Sequence, residues 1–169
     1  IYTNTSMGSG GHPQQVVKLG MTLVTGANII SLPIVPLDTK LEKVLESIAS
    51  EYRYVRAYDA SDSKDPWKSF RRGAVGDLSE IRTGMAFEVS VPSGPVSLAI
   101  PGFVPDVTMI SLERGWNLVS LVSANSLTVA AALDGIPYTR VEGFDPLKRP
   151  YGTMRLRPDD ILAPGDCFW

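Results

Sequence analysis

The pattern of apolar and polar residues predicts a protein made mostly of strands, with two short helices. Apolar positions recur at helical spacing in two stretches, whereas β-branched and aromatic residues dominate the extended runs. Gly and Pro residues are spread along the chain at turn positions, as in a strand-rich fold. The predicted strands are 21–24, 26–32, 52–58, 85–91, 96–100, 107–112, 116–122, 141–145 and 165–169.

Two helices are predicted from helical spacing and from residues that favour a helix start. Thr39 with Glu42 fits a capping box, in which each side chain satisfies a backbone donor of the other residue. Ser126 is predicted to cap the second helix. Both helices should turn one apolar face inward. Their predicted core residues, with those of the strands, are Ile29, Ile30, Leu45, Ile48, Phe87, Leu118, Val119, Leu133, Ile136 and Phe168.

One sequence pattern occurs twice. Gly-Trp-Asn-Leu-Val-Ser-Leu at 115–121 matches Gly-Ala-Asn-Ile-Ile-Ser-Leu at 26–32. Each copy follows a β-rich run and a turn that contains Gly, which predicts a hairpin in each. Further matches follow in the same order, which predicts a duplication. They pair 55–59 with 141–145, 79–81 with 159–161, and 84–88 with 165–169.

We therefore predict a strand-dominated α+β fold of two degenerate tandem repeats. Each repeat is a hairpin, a short helix and strands, and the two pack as one β-rich body with an extended N-terminal segment. The predicted boundaries are 1–15 for that segment, 16–105 for the first repeat and 106–169 for the second. The second copy stops within the equivalent of its penultimate strand, so we expect it to be C-terminally truncated with one strand position open.

The N-terminal segment is predicted to fill such a strand position. Its first residues alternate apolar and polar types that favour strands, which suits a strand added to an exposed edge. Gly8, Gly10 and Gly11 would form a hinge. The strand either enters a neighbouring copy, which grows a head-to-tail assembly, or folds back onto its own body. The predicted assembly residues are Ile1, Tyr2, Thr3, Asn4 and Thr5.

Composition and charge limit the classes of molecule that the chain is expected to bind. The chain is 44% hydrophobic and 20% charged, which is ordinary for a globular protein. A net charge of -2 argues against nucleic acid, because binding phosphates needs a basic surface. No apolar run approaches the ~20 residues of a membrane span. The predicted partners are copies of the same chain, with surface glycans as the alternative.

Residues that commonly carry catalysis are scarce. His12 is the single histidine and lies in the Gly- and Ser-rich N-terminal segment, whereas the usual nucleophilic sites need a positioned base. Cys167 is the single cysteine and sits in a predicted strand, which favours a buried structural thiol. We therefore predict no catalytic activity and no cofactor.

Two binding sites can be considered on residue type. Asp59, Asp62 and Asp65 place carboxylates along one loop, as a calcium site would, although Lys64 stands where an EF-hand needs Gly. A solvated turn is the alternative. Asn4 begins an Asn-Thr-Ser glycosylation pattern, which matters only outside the cytoplasm. A sugar-stacking face or a packed core could be built from Trp67, Trp116, Trp169, Tyr52, Tyr54, Tyr58 and Tyr151.

The motif order resembles a repeat of secreted and cell-surface proteins of bacteria and archaea. Those duplicated modules carry Gly-Trp-Asn-Leu-(Ile/Val)-Ser-Leu, a helix, an aromatic-Asp strand end, a Trp-Lys turn and a closing Gly-aromatic strand. The resemblance rests on 115–121, Tyr58-Asp59, Trp67-Lys68 and 84–87. Ala27 departs from the pattern, which expects Trp there, and the region of Pro150 and Tyr151 lacks the Trp-Lys pair.

The resemblance implies an extracellular or cell-surface location and a structural role, and it implies no reaction. The predicted function is a non-catalytic structural protein, a subunit of a filament, pilus or surface layer assembled by N-terminal strand donation. The alternatives are a secreted adhesion or carbohydrate-binding module, or an accessory domain of a larger secreted enzyme.

Overall fold

The structure, a computed structural model, describes residues 2–4, 15–123, 125–145 and 152–169. Strands dominate the fold, as predicted, and the helices are short. The strands are β1 (Tyr2–Asn4), β2 (Val16–Leu23), β3 (Gly26–Ser31), β4 (Val35–Pro36), β5 (Tyr54–Tyr58), β6 (Trp67–Arg71), β7 (Ala86–Val91), β8 (Val96–Phe103), β9 (Val119–Ser120), β10 (Leu127–Thr128), β11 (Glu142–Asp145), β12 (Gly152–Arg155), β13 (Ile161–Leu162) and β14 (Cys167–Phe168). The helices are α1 (Leu41–Val44), a 3-10 helix (Glu46–Ile48) and α2 (Val129–Ala132).

Within the described residues the strands form three four-stranded antiparallel sheets and one two-stranded ribbon. The outer sheet has the order β1-β2-β8-β4. The central sheet has the order β3-β7-β5-β6, and the C-terminal sheet has the order β9-β14-β11-β12. The ribbon pairs β10 with β13. The central and C-terminal sheets therefore share one strand order. In each, the strand that comes first along the chain pairs with the strand that comes last, and the second and third strands along the chain follow in that order.

The predicted first hairpin is wrong, because β2 and β3 lie in different sheets. β2 pairs with β8 in the outer sheet, and β3 pairs with β7 in the central sheet. The chain bends between them, and the Asn28 side chain holds the bend. Asn28 Oδ1 accepts a hydrogen bond from Val24 N at 2.8 Å, and Asn28 Nδ2 donates to Val24 O at 2.8 Å. Gly26 has a φ of 100°, which a side chain would disfavour.

The N-terminal core fills the space between the outer sheet, the central sheet and α1. Alternate residues of β2 and β8 face it from one side, because side chains in a strand alternate between the two faces. Alternate residues of β5 and β7 face it from the other. Its most buried members include Leu23, Ile34, Leu41, Leu45, Ile48, Val55, Phe87, Val89, Leu98 and Ile100.

The start of α1 differs from the predicted capping box of Thr39 and Glu42. The residue before the helix makes no side-chain cap hydrogen bond. Instead Leu41 N donates to Ser79 O at 2.9 Å, and Ile81 N donates to Thr39 O at 2.8 Å. Because the neighbouring segment already satisfies these backbone groups, the helix needs no capping box.

The C-terminal core lies between the C-terminal sheet, α2 and the ribbon of β10 and β13. The cap of α2 is Thr128, whose Oγ1 accepts a hydrogen bond from Ala131 N at 3.1 Å, and the prediction of Ser126 was two residues early. The buried members of this core are Leu121, Val129, Val141, Leu162 and Phe168.

The predicted burial is confirmed for half of the core residues, and the failures concentrate around the C-terminal core. Leu133 is only half-buried, and the prediction for Ile136 is wrong, because this side chain is 38% exposed. The two helices differ in the layer that covers them. The outer sheet lies against the 3-10 helix, because Ala99 N of β8 donates a hydrogen bond to Ser47 Oγ at 2.9 Å. No described strand of an outer sheet covers α2. Leu45, Ile48, Phe87, Leu118 and Phe168 are buried, and Ile29, Ile30 and Val119 are half-buried.

The central and C-terminal sheets meet through a third cluster and two matched hydrogen bonds. Ser31 Oγ donates to Gly165 O at 2.8 Å, and Ser120 Oγ donates to Gly84 O at 3.2 Å. Both serines are buried. The apolar residues between the sheets are Ala86, Leu118 and Cys167, with Ile29, Tyr58, Phe144 and Trp169 packed against them.

In the part of the chain that the structure describes, no helix has the length and apolar character needed to cross a membrane.

Candidate functional site

The N-terminal segment is described only at Tyr2–Asn4, which forms β1. This strand pairs antiparallel with β2, with Tyr2 opposite Leu19, Thr3 opposite Lys18 and Asn4 opposite Val17. In this structure it therefore extends the outer sheet of its own chain. The predicted assembly residues Ile1 and Thr5 lie outside the described residues, and so does most of the Asn4 glycosylation pattern. Donation to another copy and glycosylation both stay predictions.

The acidic loop turns its carboxylates toward its own backbone. Asp59 Oδ1 accepts hydrogen bonds from Ser61 N at 3.0 Å and from Ser61 Oγ at 2.6 Å. The bond from the Ser61 hydroxyl is the main reason why the pKa of Asp59 lies below its usual value. This carboxylate therefore caps a turn in the way that aspartates in loops commonly do.

The second carboxylate of this loop is tied to a lysine. Asp62 Oδ2 lies 2.6 Å from Lys68 Nζ, and its Oδ1 accepts hydrogen bonds from Lys64 N and Asp65 N. Lys68 is the largest cause of the lowered pKa of Asp62, and Asp62 in turn raises the pKa of Lys68. Among the described residues no three His, Cys, Asp or Glu side chains are grouped to hold a metal. The calcium site at Asp59, Asp62 and Asp65 stays a prediction, and no contact among the described residues supports it.

Aromatic side chains gather where the central and C-terminal sheets meet. Trp169 lies at their centre, with its ring centroid 4.9 Å from that of Tyr58, 5.9 Å from that of Trp67 and 6.2 Å from that of Trp116. The rings meet edge to face, the geometry that aromatic quadrupoles favour. Trp67 and Trp116 are 38% and 47% exposed. Part of this cluster is therefore packing and part is surface.

The other three aromatic residues of the predicted sugar-stacking face are Tyr52, Tyr54 and Tyr151. Tyr52 is buried in the N-terminal core. Tyr54 donates its hydroxyl hydrogen to Glu88 Oε1 at 2.7 Å. Tyr151 lies outside the described residues. The structure thus brings together Tyr58 and the three tryptophans, it places Tyr52 in the N-terminal core, and Tyr54 lies on the same face of β5 as Tyr58.

A buried carboxylate beside the aromatic cluster was missed by the sequence reasoning. Glu88 is 2% exposed, and its Oε2 lies 2.7 Å from an Arg56 guanidinium nitrogen. Arg56 also lies over the Trp67 ring, 4.7 Å from its centroid. Nothing in the sequence indicated its burial, because Glu88 and Ser90 alternate with the apolar residues of β7 as solvent-facing residues of a strand do. Its contacts are structural: they join β5, β6 and β7 on the face of the central sheet away from the N-terminal core.

A cleft of about 560 Å³ with both polar and apolar lining residues lies between the acidic loop and the 109–119 segment. Asp77 and Arg82 line one side, and Met109 and Asn117 line the other. Arg82 is ion-paired with Glu80 at 2.5 Å. A cleft whose charges are neutralised locally presents an ordinary solvated surface, and we assign it no ligand.

Segment 104–116 exposes the largest concentration of apolar side chains in the described residues. The prediction of a strand at 107–112 is wrong, because no described strand pairs with residues 104–118. Val107 is 81% exposed and Met109 is 93% exposed. Thr108 Oγ1 is also buried without a hydrogen-bond partner. Contiguous exposed apolar surface commonly marks an interaction site. The exposed apolar residues are Val104, Val107, Met109, Ile110, Leu112 and Trp116.

Cys167 is buried, as predicted. Burial is the main cause that raises its pKa from 9.0 to about 12, and Cys167 Sγ lies 3.7 Å from Gly165 O. A thiol held in its neutral form is a poor nucleophile, since the thiolate is the reactive species. His12 lies outside the described residues.

No protein-family model, no curated protein and no solved structure matches this chain. The resemblance to the Gly-Trp-Asn-Leu-(Ile/Val)-Ser-Leu modules therefore stays a prediction. The function has to be argued from the geometry of the chain itself.

Proposed function

We propose that the chain is built from two degenerate copies of one unit, and that the second copy is completed by a strand from another molecule. The first support is that the central and C-terminal sheets share one strand order. In each sheet the strand that comes last along the chain, β7 or β14, lies between two other strands. Its phenylalanine is paired with one residue on each of them. These partners are Ile30 and Ala57 for Phe87, and Val119 and Gly143 for Phe168.

The bends before the two matched motifs support the duplication independently. Asn117 Oδ1 accepts a hydrogen bond from Glu113 N at 2.8 Å, and Asn117 Nδ2 donates to Glu113 O at 2.8 Å. Asn28 makes the same pair of bonds four residues back, to Val24. Gly115, like its counterpart in the first bend, has a positive φ, here 113°. The Asn in the repeated pattern thus has one structural task in both copies.

The helix starts give the duplication a register, and this register corrects one predicted match. Leu41 N donates to Ser79 O, and Val129 N donates to Asp160 O, each at 2.9 Å. Ser79 therefore corresponds to Asp160. The predicted match of 79–81 with 159–161 is one residue early, and 160–162 is the equivalent range. This register also pairs the buried Ile81 with the buried Leu162.

The difference between the copies supports a role in assembly. The outer sheet closes the N-terminal core, whereas the C-terminal core has no such sheet among the described residues. Leu133 at the end of α2 is half-buried and Ile136 just after it is exposed, and the exposed apolar residues of 105–112 lie in the part of the chain that corresponds to β2 of the outer sheet. Unpaired strand edges and exposed apolar surface favour pairing with another chain.

We infer a non-catalytic structural subunit of an extracellular filament, pilus or surface layer that assembles by N-terminal strand donation. The observation that carries this proposal is the contrast between the N-terminal core, which an outer sheet covers, and the C-terminal core, over which the described residues place no such sheet. A strand given from each copy to the next is a head-to-tail contact, which grows a filament when its rotation does not close a ring.

Deleting residues 1–11 tests the proposed assembly. We expect the full chain to form polymers in negative-stain images and fast-sedimenting species in the ultracentrifuge. The deletion should leave monomers with unchanged near-UV circular dichroism, because β2 keeps its eight residue pairs with β8. Polymers that survive the deletion with the same length and stability, or a full chain that stays monomeric at all concentrations, would contradict the proposal.

The exposed tryptophans favour a second candidate function, a carbohydrate-binding surface. Trp67 and Trp116 flank Trp169, and exposed indole rings are suited to stack on sugars. A glycan array with the intact chain and with Trp116→Ala tests this candidate, and Tyr138→Ala serves as the exposed aromatic control. Binding that is lost only in the tryptophan variant supports it, and the absence of any binding to the array sinks it.

A further inference from the structure

Segment 104–112 has the side-chain arrangement of a strand that is missing its neighbours. Thr108 and Ile110 face the body: a Cβ on Gly84 would come within 3.1 Å of Ile110 Cγ1 and 3.5 Å of Thr108 Cγ2. Val107 and Met109 point the other way and are almost fully exposed. This alternation is the period of a strand, although the described residues give the segment no pairing partner.

The duplication assigns this segment a counterpart with known neighbours. Gly26 corresponds to Gly115, so β2 corresponds to 105–112, and Leu19 and Met21 correspond to Thr108 and Ile110. β2 has two neighbours in the outer sheet, β8 on one side and β1 on the other. The strand that this chain already places along such an edge is thus its own N-terminal segment.

We propose that segment 104–112 is the acceptor for the N-terminal strand of a second copy of this chain, an inference that rests on the proposed function. The register follows from the pairing of β1 with β2. It places Tyr2 of the donor opposite Thr108, Thr3 opposite Val107 and Asn4 opposite Asp106. Thr3 and Val107 are both β-branched, a combination that stabilises cross-strand pairs.

Release of β1 leaves the donor's own outer sheet largely intact. Among the described residues β1 makes three residue pairs with β2, and β2 remains paired with β8 along eight residues when β1 leaves. Segment 104–112 has no pairing partner in the described residues, so an added strand would supply hydrogen-bond partners to its backbone groups. The exchange therefore pairs a segment that is otherwise unpaired, which favours transfer to the neighbouring copy.

A disulfide experiment on the full chain tests the register. In an antiparallel pair the facing Cα atoms lie about 4.5–5.5 Å apart, within the range that a disulfide spans. The variant Thr3→Cys with Val107→Cys should give a ladder of covalent oligomers on mild oxidation. The matched control, Thr3→Cys with Lys18→Cys, reports β1 on its own β2 and should lose its intramolecular bond as polymers form. Single-cysteine variants can give dimers but no ladder.

The outcomes separate this inference from the proposed function. A ladder that grows with polymerisation supports the acceptor. Polymers that require residues 1–11 but give no Thr3–Val107 ladder overturn the acceptor and leave the proposed function standing. A chain that never polymerises, with an intramolecular Thr3–Lys18 bond throughout, overturns both.

A charge placed on the acceptor gives a second readout without cysteines. Val107→Asp should raise the critical concentration for assembly about fivefold, because Asp is strongly disfavoured relative to Val in a paired strand. Val75→Asp is the matched control, because Val75 is fully exposed in another loop. Both variants should fold normally. Equal critical concentrations for the two variants would overturn the proposal.

Discussion

The two cores of this chain show that an inward-facing pattern and actual burial are separate properties. Leu45 is fully buried, and the corresponding Leu133 on α2 is half-buried, although both occupy the apolar face of a short helix. The outer sheet lies over the first helix, and none of the described strands lies over α2 in the same way. Periodicity selects the face of an element, but a second layer is needed to bury it.

The central and C-terminal sheets also carry different side chains where they meet. In the central sheet Arg56 stands opposite Glu88, and the two form a buried ion pair. In the C-terminal sheet the corresponding backbone pair is Glu142 with Trp169, and Trp169 joins the aromatic cluster. One position therefore holds a charge in one sheet and an aromatic anchor in the other.

The largest expected difference lies between the two helix leucines. Leu45→Ala should cost about 2–5 kcal/mol, from lost transfer energy and a cavity. Leu133→Ala should cost only about 1 kcal/mol, near the centre of the distribution for point substitutions. Urea titrations of the monomeric form, with the midpoint as readout, compare the two variants. Equal costs would show that the C-terminal core is as closed as the N-terminal core.

The pH dependence of the free energy of unfolding reports the burial of the Cys167 thiol between the central and C-terminal sheets. The folded-state pKa of Cys167 is raised from 9.0 to about 12, so its contribution is complete below pH 9 and is lost as the pH rises toward 12. In that window the thiol should lower the free energy of unfolding by about 1.4 kcal/mol per pH unit. Cys167→Ala should show a shallower decline between pH 9 and pH 11. Parallel curves for the wild type and the variant would mean that the thiol is accessible to water.

The matched serines between the sheets should give smaller and similar effects. Ser31→Ala and Ser120→Ala each remove one hydrogen bond to a glycine carbonyl, at a cost of about 1 kcal/mol. The control Ser97→Ala, on an exposed face of β8, should change stability by less than about 0.5 kcal/mol. Thermal unfolding of the three variants provides the comparison. A cost at only one of the two buried serines would argue against equivalent roles.

The strand-rich character, the burial of Cys167 and the burial of Leu45, Ile48 and Phe87 in the N-terminal core could be predicted from the sequence. These features depend on local periodicity, which one element carries by itself. The hairpins could not be predicted, because the same turn residues serve a bend that sends β2 and β3 into different sheets. The capping box at Thr39 failed for a related reason: backbone groups near Ser79, distant in sequence, satisfy the helix start.

The candidate site was only partly visible in the sequence for the same physical reason. The apolar run at 107–112 was recognised, but its exposure depends on a layer that a single element cannot specify. The aromatic residues were recognised as a set, whereas contacts between sheets decide that Trp67, Trp116 and Trp169 meet while Tyr52 does not. The burial of Glu88 was hidden for the same reason, since it alternates with apolar residues in β7 as a solvent-facing residue would.

Hydrogen exchange of the assembled and monomeric forms tests the central claim most directly, namely that a donated strand completes the second copy. We predict that peptides covering 104–112 exchange fast in the monomer and at least about tenfold more slowly in the assembly, because their amides gain a pairing partner. Peptides from β8 should be protected equally in both forms. Fast exchange of 104–112 in fully assembled material would contradict the account.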